Sequence, residues 1–171
     1  MKSLRRGFIA ISAALLICCL SIIVTAQNSV TILTGAELTR VVPPGFYFEG
    51  LSAPTQMRNA AAARFGDKRY VIVALVDTAG YAADVRAKYE GFFITDSRIK
   101  INGSDLNIGA YGFGFSDDGK MRILDLAGNQ VMSVSTAKDT QLKRPRPLMM
   151  ATSANGLRFY SGKNYVTIVA R

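Results

Sequence analysis

Three stretches of the chain carry residue types at spacings that support chemistry elsewhere. Gly114-Phe-Ser-Asp-Asp-Gly119-Lys120 has the glycine and lysine spacing of a phosphate-cradling loop. Such a loop works because bare backbone N–H groups and a lysine surround the phosphate while a hydroxyl holds magnesium. Here Met121 stands where the hydroxyl belongs, and Asp117 and Asp118 would repel a phosphate. The residues that follow alternate as a strand does, so the segment reads as a hairpin turn. Ser135-Thr-Ala-Lys138 has the Ser-x-x-Lys spacing that puts a lysine one helical turn from a nucleophilic serine. This serine falls at the end of a strand pattern, and no Ser-Asp-Asn or Lys-Thr-Gly partner accompanies it. Glu49, Asp77 and Glu90 are the carboxylates nearest apolar runs. Glycoside hydrolysis would need two of them facing one cleft, and tryptophan, the usual sugar platform, is absent.

Missing residue types exclude more than these motifs supply. The chain has no histidine, and its two cysteines, Cys18 and Cys19, both lie in an N-terminal apolar run. Imidazole bases, Ser-His-Asp and Cys-His constellations, and histidine-bearing zinc sites are therefore ruled out. No metal site and no cofactor are expected. Carboxylate chemistry, a Ser–Lys pair, an all-oxygen calcium site, or no catalysis are left.

Binding candidates fall in three groups. Gln56, Arg58 and Asn59, with Arg64 farther on, could grip a carboxylate or phosphate, because arginine forms paired hydrogen bonds to such groups. A solvated face is the plainer reading of the same residues. Tyr111, Phe113 and Phe115 alternate with Ala110, Gly112 and Gly114, giving one aromatic face and one nearly bare. The bare face at Gly112 and Gly114 either admits a ligand against the backbone beside Tyr111 or lets another element pack closely. Lys143, Arg144 and Arg146, interleaved with Pro145 and Pro147, form the densest positive patch and suit an anionic partner.

These residues must be positioned by elements that are mostly strands. Val30–Leu33, Phe46–Glu49, Tyr70–Val76, Phe92–Thr95, Ile99–Ile101, Leu106–Phe115, Met121–Leu126, Val131–Ser135, Leu148–Thr152, Leu157–Tyr160 and Tyr165–Ala170 read as strands between glycine and asparagine turns. Tyr70–Val76 is apolar throughout and rich in β-branched residues, which predicts a central strand covered on both faces. Asn102-Gly103 is a two-residue hairpin signal. Pro54–Phe65 is the best helix candidate: Pro54 suits a first turn, Ala60–Ala63 favour helix, and Gly66 suits the stop. A second short helix is predicted within Tyr81–Glu90, ended by Gly91. The fold class expected is mostly β, an antiparallel meander forming a small barrel or a two-layer sandwich with one or two short helices.

The N-terminus reads as targeting. Lys2, Arg5 and Arg6 precede an uncharged run from Phe8 to Val24, and Val24-Thr25-Ala26 offers small residues for cleavage before Gln27. Residues 1–26 are thus expected to be a signal peptide, or else an uncleaved anchor at residues 8–26, and residues 27–171 a single β-rich domain. Without the three basic residues of that segment the formal charge falls from +9 to +6, a surface suited to anionic envelope polymers, lipids or small anionic ligands. A nucleic-acid partner is not expected in a periplasmic or extracellular location.

Ile99-Lys-Ile-Asn-Gly-Ser-Asp-Leu-Asn-Ile-Gly-Ala-Tyr-Gly-Phe113 resembles a pattern of exported bacterial β-domains, in which a Leu-x-x-Gly-x-Tyr strand follows a glycine turn. The chain also resembles a family of uncharacterised exported bacterial proteins sharing segments like Ala53-Pro-Thr-Gln-Met-Arg-Asn59 and Lys143-Arg-Pro-Arg-Pro-Leu148. The resemblance implies export and a β fold, and no activity. The function expected is a non-enzymatic binding or envelope-interaction domain. The alternatives are a small hydrolase using carboxylates or a Ser–Lys pair, and a structural subunit of an envelope assembly.

Overall fold

A computed structural model of the chain describes residues 29–154 and 156–171. The segment read as a signal peptide, 1–26, and Asn155 of the expected Asn155-Gly156 turn lie outside the described residues. Fourteen strands and two short helices follow in order: β1 (Val30–Ile32), α1 (Gly35–Val41), β2 (Gly45–Phe48), β3 (Leu51–Phe65), β4 (Arg69–Val76), α2 (Ala83–Arg86), β5 (Gly91–Thr95), β6 (Ile99–Ile101), β7 (Ser104–Leu106), β8 (Gly109–Ser116), β9 (Lys120–Leu124), β10 (Gln130–Ser135), β11 (Ala137–Lys138), β12 (Arg146–Ser153), β13 (Gly156–Gly162) and β14 (Asn164–Ala170). Among the described residues no helix is long and apolar enough to cross a membrane.

The strands form two antiparallel sheets rather than a closed barrel, consistent with a two-layer sandwich. The first runs β1-β3-β4-β5-β8-β9-β10, with β2 paired to β3. The second runs β12-β13-β14-β6-β7, with β11 paired to β14. Between them lies the larger core. Ala61, Ala63, Phe65, Val71, Val73, Phe93, Phe113, Met121 and Ile123 of the first sheet meet Ile99, Ile101, Leu157, Phe159, Val166 and Ile168 of the second.

The first sheet is also covered on its other face. Ala74, Val76, Phe92 and Leu124 pack there against Phe46, Phe48, Tyr81, Val85 and Tyr89, supplied by the β2 hairpin and the 81–90 segment. Side chains in a strand alternate between faces. A strand covered twice must therefore be apolar at every position, which accounts for the unbroken runs in β4 and in Phe92-Phe93 of β5. Each fully buried phenylalanine contributes about 1.5–3 kcal/mol.

The helix expected over Pro54–Phe65 is instead β3. Its Ala60–Phe65 half pairs with β4 on one edge, Ala60 opposite Ala74 and Phe65 opposite Arg69, and with β1 on the other, Val30 opposite Phe65. Alanine's helix preference is only a few tenths of a kcal/mol per residue. Hydrogen bonding on two edges with burial on both faces outweighs it. Ala61, Ala63 and Phe65 recur at the two-residue spacing of a strand and are buried, while Met57 is exposed. The helix expected across Tyr81–Glu90 is confined to Ala83–Arg86. The strand expected over Leu106–Phe115 is interrupted, its start belonging to β7 in the second sheet and the remainder to β8 in the first. The Asn102-Gly103 hairpin forms with both residues left-handed, at φ 46° and 86°.

Gly112 is where the second covering layer comes closest. A Cβ there would stand 2.5 Å from a Phe48 ring carbon, and that ring already stacks on Tyr89 at 3.9 Å between centroids. Gly112→Ala is expected to lower the unfolding free energy by about 1–3 kcal/mol through overpacking. In a Phe48→Leu background the same change should cost distinctly less. Urea denaturation of the four-protein cycle measures both.

Candidate functional site

Two irregularities in the ladder shape the surface. Thr55 pairs with Val76 and Ala60 with Ala74, so Gln56–Asn59 of β3 stand opposite Leu75 alone. This wide bulge is stitched from within. Gln56 Nε2 donates to Val76 O at 3.0 Å, and Asn59 Nδ2 donates to Gln56 Oε1 at 2.8 Å. Thr55 anchors its start by donating from Oγ1 to Pro43 O (2.6 Å) and from N to Pro44 O (2.9 Å). The second irregularity is in β12, where Arg146 pairs with Gly162 and Met149 with Tyr160. The extra residue falls at Pro147-Leu148, a place that tolerates a proline without an N–H to give. The β12 strand runs against β3 and β1, so the two bulges lie on adjoining edges of the sandwich.

The predicted trio of Gln56, Arg58 and Asn59 thus shares one bulge, but its members do different things. Gln56 and Asn59 spend their amides on each other and on the backbone. Arg58 is exposed and, with Met57, lines a groove of about 290 Å³ between the β3 bulge, α1 and β12. Arg146 lines the same groove from β12. Leu38, Met149 and Met150 supply apolar wall, and no acidic residue lines it. Neither arginine is in an ion pair with another of the described residues. The predicted basic patch is divided: Arg146 turns to this groove while Lys143 and Arg144 stay exposed in the preceding loop, without an ion pair among the described residues.

Gln56 belongs to a second cleft, of about 320 Å³, with Leu75, Val76, Arg86, Tyr89 and Glu90 from the first sheet's side and Pro147, Ser161 and Gly162 from the second. Glu90 enters β5 already locked: its N–H donates to Phe113 O (2.8 Å) and its carbonyl accepts from Val76 N–H (3.1 Å). Burial pushes its carboxyl above the ordinary range, partly offset by a hydrogen bond from the Phe115 backbone. It has no ion-pair partner among the described residues. Arg86 is held nearby by donating from Nη1 to Tyr81 O at 2.9 Å. The Tyr89 hydroxyl sits beside that of Tyr81, whose own hydrogen goes to Leu51 O at 3.0 Å. It makes no hydrogen bond of normal geometry, and burial raises its pKa far above the usual phenol value.

The bare face of β8 is occupied by the protein itself. Phe48 covers Gly112, and the Lys88 carbonyl lies where a Gly114 side chain would be. This leaves no space for a ligand at either glycine, because the second covering layer needs it. Tyr111 packs on the opposite, inter-sheet face and donates its hydroxyl to Asn107 O at 3.2 Å.

The remaining motifs resolve as structure. Gly114–Lys120 is the β8–β9 hairpin, in which Asp118 accepts from Ser116 and meets Lys120 at 3.2 Å. Those contacts hold the Asp118 carboxyl below its usual value, Ser116 contributing most. Its anion is thus internal. Ser135 ends β10 in the first sheet and Lys138 lies in β11 of the second, with no hydrogen bond between their side chains. Glu49 pairs with Lys88 at 2.9 Å, and Asp77 caps a turn by accepting from Ala79 N at 3.0 Å. Neither lines the Glu90 cleft. Arg86 and Met149 had no distinguishing signal in the sequence. Comparison with protein-family models, curated proteins and solved structures finds no match to this chain.

Burial of the Glu90 carboxyl disfavours its charged form and so costs the fold wherever the group ionises. A carboxyl whose folded-state pKa lies above its unfolded value contributes most below the unfolded pKa, and that contribution is lost as pH rises through the folded one. Glu90→Gln should therefore raise the melting temperature at pH 7. The gain should vanish as pH falls through the carboxylate range, as thermal unfolding across pH 3–8 would report.

Proposed function

We propose that this chain is an exported, non-enzymatic binding domain that takes an anionic lipid of the cell envelope in the groove between Arg58 and Arg146. One observation carries the reading: two arginines from distant segments, neither paired with an acid among the described residues, flank a groove walled by leucine and methionine. Guanidinium groups recognise phosphate with two parallel hydrogen bonds. Methionine adapts its shape to flexible apolar ligands, so an acyl chain beneath a phosphate head matches both halves of the lining. Lys143 and Arg144 add positive charge on the same approach, and the basic balance of the chain favours such a surface. The absence of histidine, the separation of Ser135 from Lys138 across two sheets, and the internal partners of Glu49 and Asp77 favour binding over hydrolysis.

Vesicle co-sedimentation tests this. Phosphatidylglycerol vesicles should retain the protein at low salt, phosphatidylcholine vesicles should not, and 0.5 M salt should release it. Replacing Arg58 and Arg146 together by Gln should weaken binding by about 30-fold, from about 1 kcal/mol per charge. If the double variant binds as well as the parent, the groove is not the site. If only Lys143→Gln with Arg144→Gln reduces binding, the loop and not the groove holds the vesicle surface, and the groove reading is wrong.

A further inference from the structure

The cleft beside Glu90 goes beyond that reading, because its chemistry differs. It presents one carboxylate and one guanidinium, Glu90 and Arg86, in a space of about 320 Å³, and the two do not form an ion pair. We propose that this cleft is a second binding site, for a small amino-acid zwitterion whose ammonium pairs with Glu90 and whose carboxylate pairs with Arg86.

Each charge is prepared for a partner it does not have. Glu90 is fixed by its own backbone between β4 and β8, and its partly buried carboxylate accepts from the Phe115 backbone with no cation against it among the described residues. A partly desolvated carboxylate without a counter-ion carries a cost that one hydrogen bond only partly offsets. A bound ammonium would offset that cost. Arg86 uses one N–H on the Tyr81 carbonyl, which fixes the guanidinium while leaving further donors for a carboxylate. A ligand with only an ammonium would meet the Arg86 charge, and one with only a carboxylate would meet Glu90. A ligand bearing both satisfies each. Leu75, Val76 and Pro147 line the cleft as well, so a methylene spacer finds apolar wall. Ser161 adds a hydroxyl from the second sheet. The site differs from the Arg58 groove in sign, lining and position, with the β3 bulge separating them: Gln56 lines one and Arg58 the other.

Isothermal titration of the purified full chain against glycine, 4-aminobutyrate and 6-aminohexanoate, with butylammonium and butyrate as single-charge controls, tests the proposal. At least one of the three zwitterions should bind, at least about tenfold more tightly than either control. Glu90→Gln and Arg86→Gln should each weaken it by about tenfold or more, as expected for hydrogen bonds to charged groups. Arg58→Gln should leave it unchanged. Glu90→Gln is expected to be more stable than the parent at pH 7, so loss of binding with an unchanged near-UV spectrum reports the site and not unfolding. Binding by none of the zwitterions, equal binding of a single-charge control, or unaltered binding in both variants would overturn the proposal. None of these results touches vesicle binding at the Arg58 groove, so the two readings fail separately.

Discussion

The first sheet is packed on two sides, and the remainder of the molecule follows from that constraint. On one side Phe93, Phe113 and Ile123 meet the second sheet. On the other, Phe92 stacks with Phe46 at 4.9 Å and Phe48 is held between Gly112 and Tyr89. A ring can lie that close to a strand only where the strand offers no Cβ. The alternation of glycine with aromatic residues in β8 is therefore a packing device, bulky toward one layer and bare toward the other. The same crowding applies at Gly91, where a Cβ would strike the Ala74 carbonyl. Close packing gives the cysteine-free described domain a core large enough to dispense with disulfides.

Edges are where the two layers fail to match, and both candidate sites lie there. The three extra residues of the β3 bulge and the single one in β12 put side chains outward that a regular ladder would bury or pair. Arg58 and Met57 go to one side of the β3 bulge and Gln56 to the other. Among the described residues Arg58, Arg146 and Glu90 line these clefts without an ion pair, whereas Asp118 meets Lys120, Asp105 meets Arg171 and Asp139 meets Arg158 elsewhere on the surface. Glu90 carries the clearest conflict between stability and use. Its carboxyl is destabilised by the same burial that would strengthen its hold on a cation.

Much of the strand content was legible because glycine and asparagine mark the turns in chemically specific ways. Asn102, Gly103 and Gly119 supply the positive φ that tight hairpins require. The doubly covered β4 was legible from its continuous apolar run. Pro54–Phe65 was not, because its alanines satisfy a helix by propensity, and only pairing with β4 and β1 decides against it. The α1 helix escaped notice because it is seven residues long, has no side-chain cap at Thr34 and buries no residue fully. Of the candidate site, Gln56, Arg58, Asn59 and Arg146 were legible as residue types able to bind. Their sorting into two clefts was not, since it depends on a bulge register and on β12 meeting β3. The bare face at Gly112 admitted two readings, and Phe48, far away in sequence, decides for packing.

Hydrogen exchange under native conditions tests the two-sided sheet most directly. If both faces are covered as described, the amides of Val71–Ala74 in β4 and of Phe92 and Phe93 in β5 open only with global unfolding, with exchange free energies equal to that from denaturant titration. Edge amides in β1 and β10 should exchange far sooner. Exchange in β4 and β5 as rapid as at those edges would mean that one of the covering layers is not packed in solution, and would contradict the account.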